Sequence, residues 1–533
     1  MAAIQENISR SAMILITGIV GLVFVYSRMR FMEVPFDRDE GSYLYMGYSF
    51  IKGYIPYVDF YEMKPPGIFL VYGLFHILFG SSTFLLHFGL LLLQLYTAWL
   101  VYKIVASMFQ RQQPGMLAAC VYVIFNLSPN FMGFGIMSEH FFILFVLLSM
   151  YFLVKPMGQK VITNMFVAGL FFGMAAMIRQ HAIFFVLPVL MLIIHRSRSE
   201  KGSWFKNILY FASGSMAVII ALVGYVAVRG GFEEMVYWIF THPSEKYITK
   251  VSWADGQPHL MGYINNIFFE RHFPMVILFG VGLVFIIKNI FKNNLRWENS
   301  IALLFFVGAF LTVFPGFRFY GHYWLMVFPF LAIIAGLWLD SLTSDLFRYS
   351  SIAVVAILFL IQITKNNDLY FKIKADQIYQ RMYEANPNYS LQKITKYLKR
   401  KIKEKDEIFV FGSEPQAYYE LKKISAQPHV FISYLHLPSD RALAGQRQTM
   451  TYMTNQKPEF IIHLQNPISI GMKENSHQDL YQWIFSFEDQ YYEKIALAEM
   501  NGRNKPVYYY GNEANREPTT DNYIFLYQRR QTR

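Results

Sequence analysis

A single cysteine, Cys120, occurs in 533 residues, and it lies inside an apolar run. One thiol excludes a disulfide framework, and without CxxC or Cys/His spacing there is no zinc site of the usual kind. Charge is scarce too. Asp, Glu, Lys and Arg make up 16% of the chain, where soluble globular proteins carry about 25%. There is no P-loop and no G-x-G-x-x-G between a strand and a helix, so no nucleotide-sugar site is expected. Internal repeats and low-complexity tracts are lacking, which weighs against the half-to-half architecture of many transporters. No small-residue cleavage site follows the first apolar stretch, so that stretch reads as a retained span and not a removed signal peptide.

What the chain has in abundance is apolar: 54% hydrophobic and 18% aromatic residues. A membrane-spanning helix needs about 20 mostly apolar residues. Runs of that kind lie at 11–31, 81–108, 114–130, 139–154, 161–178, 181–195, 207–229, 266–288, 300–315, 322–340 and 350–364, roughly eleven spans. The net charge of +12 does not indicate nucleic acid, because the basic residues sit in short loops between these runs and form no solvent-facing stripe. Lys155 and Lys160, then Arg196, Arg198, Lys201 and Lys206, then Lys288, Lys292 and Arg296 occupy alternate loops, which assigns those loops to the cytoplasm. Alternation sends the loop 31–80, the turns Ser138–Glu139, Arg179–His181 and Gly316–Tyr323, the loop 230–265 and everything after 365 to the other face. The run PPGIFLVYGLFHILFG (65–80) is too short to span and reads as an interfacial or re-entrant helix.

Beyond residue 365 the long apolar runs end. Segments at 408–412, 429–433, 459–464 and 522–527 have strand character, and YSLQKITKYLKRKIKEKDE has a helical pattern. The expected fold class is therefore an α-helical polytopic membrane domain, residues 1–364, followed by an extracytoplasmic soluble α/β domain, 365–533.

Acidic residues gather in the first outward loop. In FDRDEGSYLYMGYSFIKGY, Asp37 and Glu40 have capping-box spacing, Tyr43, Met46, Gly47, Phe50 and Ile51 share one helical face, and Gly53 stands where a C′ glycine would. The cap uses two acids and leaves Asp39 over, in a first turn that favours its ionised form. Such a carboxylate can take a proton from an alcohol when the leaving group departs easily, and a sugar phosphate meets that condition. Read without chemistry, Asp39 is a plain first-turn acid. Pro65 and Pro66 hold Lys64 extended at headgroup level, where its ammonium is either a phosphate partner or a snorkelling interfacial lysine.

The order Asp39-Glu40, Gly53, Pro56-Tyr57, Asp59, Lys64-Pro65-Pro66-Gly67 resembles the polyprenyl-phosphate-dependent glycosyltransferases of the GT-C superfamily. Its likeness is to the branch of the protein O-mannosyltransferases and the lipid A aminoarabinose transferase, and it extends to about residue 340. The resemblance implies a GT-C membrane fold and Asp39 as base toward the acceptor. It places Lys64 at the lipid phosphate and Glu40, Tyr57 and Asp59 near acceptor or sugar. Further matches are Glu139 as a second acidic position, Arg179-Gln180 where Lys-Gln is often seen, and Arg318, His322 and Tyr323 in GFRFYGHYWLMVFPFLA. Arg179, Arg318 and His322 would join Lys64 at the donor phosphate, Tyr323 would join the sugar side, and Glu139 would orient the acceptor or Asp39. Arg318 and His322, four apart, are expected on one helical face.

The expected function is inverting transfer of a sugar from a polyprenyl monophosphate to a hydroxyl of a protein, lipid or glycan, at the outer face of a bacterial plasma membrane. No cofactor is required, although Asp39, Glu139 and Asp59 leave a divalent metal open. The rival readings are a transporter or flippase for an anionic lipid-linked substrate, since intramembrane charges also mark transport paths, and an assembly protein with a degenerate site.

Overall fold

Apolar helices carry the first two thirds of the chain. The computed structural model describes residues 2–156, 158, 160–200, 202–244, 251–265, 280–284, 287–288, 296–341, 345–374, 377–379, 386–500 and 505–531. The helices are, in order, α1 (Ala2–Met29), α2 (Arg38–Ile51), α3 (Gly67–Phe79), α4 (Thr83–Phe109), α5 (Gln112–Leu127), α6 (Ser138–Val154), α7 (Val161–Ile178), α8 (Ile183–Ser199) and α9 (Trp204–Val228). The helices Trp297–Leu311, Phe328–Ser341 and Asp345–Lys365 follow further on. Five segments among the described residues are long and apolar enough to cross a membrane: Ser11–Met29, Thr83–Phe109, Val161–Ile178, Gln180–Ser199 and Trp204–Val228. The shorter apolar helices bury their sides against these. The expected span at 266–288 lies largely outside the described residues.

Lipid gives helices no hydrophobic reason to associate, so small residues and interhelical hydrogen bonds hold the bundle together. Gly169 and Gly173 of α7 lie against the backbone of Phe211 and Ser215 on α9, where any β-carbon would collide. The Ser215 hydroxyl donates to the Gly169 carbonyl at 3.0 Å.

The segment 65–80 is a helix of 13 residues, α3, and reaches only about 20 Å where the hydrocarbon core is about 30 Å. It packs against α2 through Gly47, which meets the backbone of Tyr72 and Gly73. The opposite side of α2 meets the C-terminal part: Gly41 abuts Gln416, and the Ser425 N–H donates to the Tyr45 hydroxyl at 3.0 Å. Tyr43, Met46 and Gly47 of the expected face are buried. Leu44 and Tyr45, off that face, are buried as well, because α2 is clamped between α3 and the C-terminal part.

That C-terminal part is a mixed five-stranded sheet of order β1-β2-β5-β3-β4. Its strands are β1 (Ile408–Phe411), β2 (Phe460–Gln465), β3 (Tyr492–Glu499), β4 (Val507–Tyr510) and β5 (Tyr523–Arg529), with β1 and β2 parallel and the other pairs antiparallel. Val410, Ile462 and Leu526 share a core with Leu391 and Ile394 of the helix Asn388–Leu398, continuous with the membrane core. Phe409, Ile461 and Phe525 pack the other face with Leu480 and Ile484 of the helix Asp479–Tyr491. The strand expected at 429–433 does not form. Pro428 precedes it, Ile432 N–H donates to Gly412 O at 3.1 Å, and the chain turns into the short helix Ile432–Leu435. The helical pattern at 389–407 ends at Leu398.

Candidate active site

The first wall is the N-terminus of α2. Asp37 caps it: the Asp39 N–H donates to Asp37 Oδ2 and the Asp37 N–H donates to Glu40 Oε2, both at 3.1 Å. Gly53 closes the segment two residues past α2 with φ +94°, a conformation that suits glycine. Burial, with Asp39 adding to it, pushes the Asp37 carboxyl up to about 7. Glu40 turns away from solvent. Its Oε1 lies 2.8 Å from His87 Nε2 and accepts from Ile136 N–H at 3.1 Å. Asp39 alone of the three faces open space.

The second wall is the loop between α2 and α3. Asp59 accepts from Ile55 N–H at 2.6 Å, and Tyr57, at φ +66°, donates its hydroxyl proton to Lys64 O. A buried tyrosine in the left-handed region is unusual and persists only where its surroundings enforce it. Both side chains shape the loop, and neither lines the cleft described below. Their effect is to present Lys64, whose Nζ lies 3.7 Å from Glu62 Oε1 and 5.7 Å from the Tyr43 ring centre. Burial raises the Glu62 carboxyl against the opposing pull of the Lys64 ammonium.

The third wall joins the start of α6 to the end of α7. Arg179 pairs with Glu139, and its Nη1 donates to Ser138 Oγ at 2.8 Å. The guanidinium lies 5.5 Å from the Tyr323 ring centre. Gln180 Nε2 donates to Met63 O at 2.7 Å and Ile239 O at 3.2 Å, tying this turn to the loop that carries Lys64.

The fourth wall corrects an expectation. Arg318 and His322 do not share a helical face, because no regular helix forms before Phe328. The chain runs through two short 3₁₀ turns, Pro315–Phe317 and Gly321–Met326, and Gly316 and Phe317 in the first and Phe319 between them all have positive φ. The irregular path still brings both side chains to the same space. His322 Nε2 lies 3.8 Å from Glu139 Oε1, and burial lowers the imidazole below its usual range and keeps it neutral.

These walls enclose a polar cleft of about 370 Å³. Asp39, Lys64, Arg179, Arg318, His322 and Tyr323 line it. Glu139 sits behind, as the counter-ion of Arg179, and Glu40, Tyr57 and Asp59 are also outside the lining. Sequence reasoning left Glu62 and Tyr43 unassigned. It had no signal for the fifth wall, where Ser413, Ser433, Tyr434 and Lys473 of the C-terminal part close over the cleft. Arg38 fastens that wall to α2 through a 2.8 Å ion pair with the buried Glu414. A second cavity of about 320 Å³ adjoins the first, lined by apolar side chains such as Ile183, Phe184, Ile239 and Phe240. Lys64, Arg179 and Tyr323 belong to both.

Residues 63–226 match the model of the dolichyl-phosphate-mannose-protein mannosyltransferase family, a stretch that includes Lys64, Glu139 and Arg179. The whole chain is similar to the crystal structure of ArnT from Cupriavidus metallidurans in the apo state, with 14% identity, TM-score 0.56, 96% of this chain and 97% of that chain covered. It is also similar to ArnT from the same organism bound to undecaprenyl phosphate, with 15% identity, TM-score 0.54, 85% of this chain and 92% of that chain covered. No curated protein matches. Likeness at this identity speaks to the fold, which is the GT-C fold of an integral membrane protein. The family match adds a resemblance to the mannosyltransferases over residues 63–226, about a third of the chain.

Proposed function

We propose that this protein transfers a sugar, with inversion, from a polyprenyl monophosphate to an acceptor hydroxyl at the extracytoplasmic face of a bacterial plasma membrane. One observation carries the reading: the polar cleft and the apolar cavity meet at Lys64, Arg179 and Tyr323. A donor lying across that junction has its phosphate at two cations, its isoprenoid chain in the apolar cavity and its sugar in the cleft. The likeness in fold to ArnT bound to undecaprenyl phosphate supports this donor class. The basic loops 155–160 and 196–206 support the orientation, with the membrane domain 1–364 in the bilayer and the domain 365–533 outside.

In the reaction, the acceptor oxygen attacks the anomeric carbon, its proton passes to Asp39, and the anomeric C–O bond to phosphate breaks. Polyprenyl phosphate leaves with one more negative charge than it carried as a diester. Lys64, Arg179 and Arg318 stabilise that charge as it develops, where preorganised cations in a water-poor site are most effective. A single displacement inverts the anomeric centre. Two cations at the phosphate, with Arg318 further along the cleft, make a metal unnecessary in this mechanism. Of the three acids that could share one, Asp59 accepts from Ile55 N–H and Glu139 pairs with Arg179. No group of three metal-ligating side chains occurs among the described residues.

The test is turnover of a defined polyprenyl-phosphate sugar in reconstituted vesicles by the native chain and by Asp39→Asn. Consumption of donor by the native chain and its loss in the variant is the expected result. Undiminished consumption in the variant overturns Asp39 as base. Movement of intact lipid-linked sugar across the vesicle without bond cleavage would establish a flippase instead. EDTA is expected to leave the initial rate unchanged, and a loss restored by a divalent cation refutes the metal-free mechanism.

A further inference from the structure

A third cavity, of about 630 Å³, shares no residue with the active site. It lies where four parts of the chain meet: the end of α1 with the loop after it, the start of α4, the segment at Lys374, and the helix Asn388–Leu398. Arg30, Lys374, Lys393 and Lys396 line it, against one acid, Glu33. Lys393 and Lys396 are three apart, hence neighbours on one face of their helix, and both are exposed. Neither has an ion-pair partner among the described residues: Lys393 lies over the Tyr389 ring at 5.4 Å, and Lys396 Nζ donates to Gln392 Oε1 at 3.3 Å. Arg30 Nη2 donates to Ile373 O at 2.5 Å, and its buried Nε has no hydrogen-bond partner among the described residues.

The placement of the cavity decides what such a cluster meets. Its lower edge is Met29, 57% exposed at the end of one span, and Phe84, 42% exposed at the start of another. Leu78 and Leu85 beside it are exposed as well, so this rim faces acyl chains. Arg30 directly follows the last residue of the first apolar span, so with that span in a bilayer the basic cluster falls at the level of lipid headgroups. An apolar floor under a cationic roof, with excess positive charge and a volume suited to a headgroup, is complementary to an anionic amphiphile.

We infer that this cavity binds the headgroup of an anionic phospholipid of the outer leaflet, with the phosphate held by Lys374, Lys393 and Lys396 and the acyl chains passing over Met29 and Phe84. Arg30 completes the site through its unpartnered Nε–H. Because the lysines come from the C-terminal part and the floor from the membrane helices, a bound lipid links the two. The inference does not rest on glycosyl transfer; its choice of leaflet rests on the orientation proposed above.

Native mass spectrometry of the full chain released from vesicles of phosphatidylcholine with one fifth phosphatidylglycerol reads the site directly. The native chain is expected to retain phosphatidylglycerol in preference to phosphatidylcholine. K374E/K393E/K396E is expected to lose that preference by at least about tenfold, since each basic side chain near an anionic surface is worth about a factor of five. K393Q/K396Q, which keeps the fold under less strain, should show an intermediate loss. A control, K399E/R400E, alters two basic residues just past the end of the same helix and outside the cavity, and should retain the lipid. The inference fails if the native chain shows no preference, if the control loses lipid as fully as the cavity variants, or if millimolar inorganic phosphate displaces the lipid completely. Donor consumption in phosphatidylcholine vesicles should be unchanged in the cavity variants, which separates this site from the catalytic one.

Discussion

Replacing Glu139 with Gln keeps the side chain's volume and removes one charge from behind the cleft. In the native chain that charge neutralises Arg179, itself 3% exposed, and lies 3.8 Å from a neutral His322. Removing one partner of a buried pair leaves the other charge uncompensated and costs about 3–5 kcal/mol. A donor phosphate at the Lys64–Arg179 junction restores the missing negative charge. At about 4 Å and an effective dielectric near 20, a full charge pair is worth about 4 kcal/mol before desolvation, the same order as the loss. The empty variant should therefore unfold earlier than the native chain, and polyprenyl monophosphate should stabilise it by more than it stabilises the native chain. The eight tryptophans give a fluorescence signal for thermal unfolding in detergent, with and without undecaprenyl phosphate. Equal stabilisation of both proteins would refute the reasoning, because it would mean that Arg179 does not see the phosphate. So would an unchanged unfolding temperature in the empty variant.

Four further outcomes follow from the same geometry. Asp39→Asn should lower turnover by about 10²–10⁴-fold at unchanged donor affinity, read as the rate at saturating donor; its unfolding temperature should hardly move, since the Asp37 cap remains. Lys64→Ala should weaken donor binding roughly ten- to hundredfold, the worth of one charge-assisted contact, in a titration with labelled polyprenyl phosphate. Asp37→Asn tests the buried cap: the native carboxyl titrates near 7 folded and near 3.8 unfolded, so its stability contribution is largest below about 4 and is lost as pH rises through 7. Asn caps equally well without a charge, so the variant should match the native chain near pH 4 and exceed it in unfolding temperature at pH 8. Gly47→Val places a branched side chain against Tyr72 and Gly73, and overpacking of about 1–3 kcal/mol should lower both unfolding temperature and turnover.

Local patterns in the sequence were reliable wherever the decisive partners are close along the chain. The capping box of Asp37 and Glu40, the release of Asp39, the C′ glycine at Gly53 and the apolar helices each depend on residues within a few turns. The orientation proposed above rests on Lys and Arg alone, because a bilayer sorts charge along the whole chain. The resemblance to the GT-C enzymes brought Lys64, Arg179, Arg318, His322 and Tyr323 into one proposal, and the tertiary structure gathers all five around one cleft.

Only the tertiary structure decided what each acid faces. Glu40 meets His87, 47 residues away, and Glu139 meets Arg179, 40 residues away, so one points into a buried network and the other stands behind a cation. Arg318 and His322 reach the cleft through left-handed phenylalanines, which helical periodicity does not anticipate. The segment 429–433 has strand composition but is drawn into the cleft wall, where contacts from distant elements outweigh local preference. Local propensity set the helices and their ends; the choice of which charges face the cleft rests on pairings across forty residues or more, and these exist only once the chain has packed.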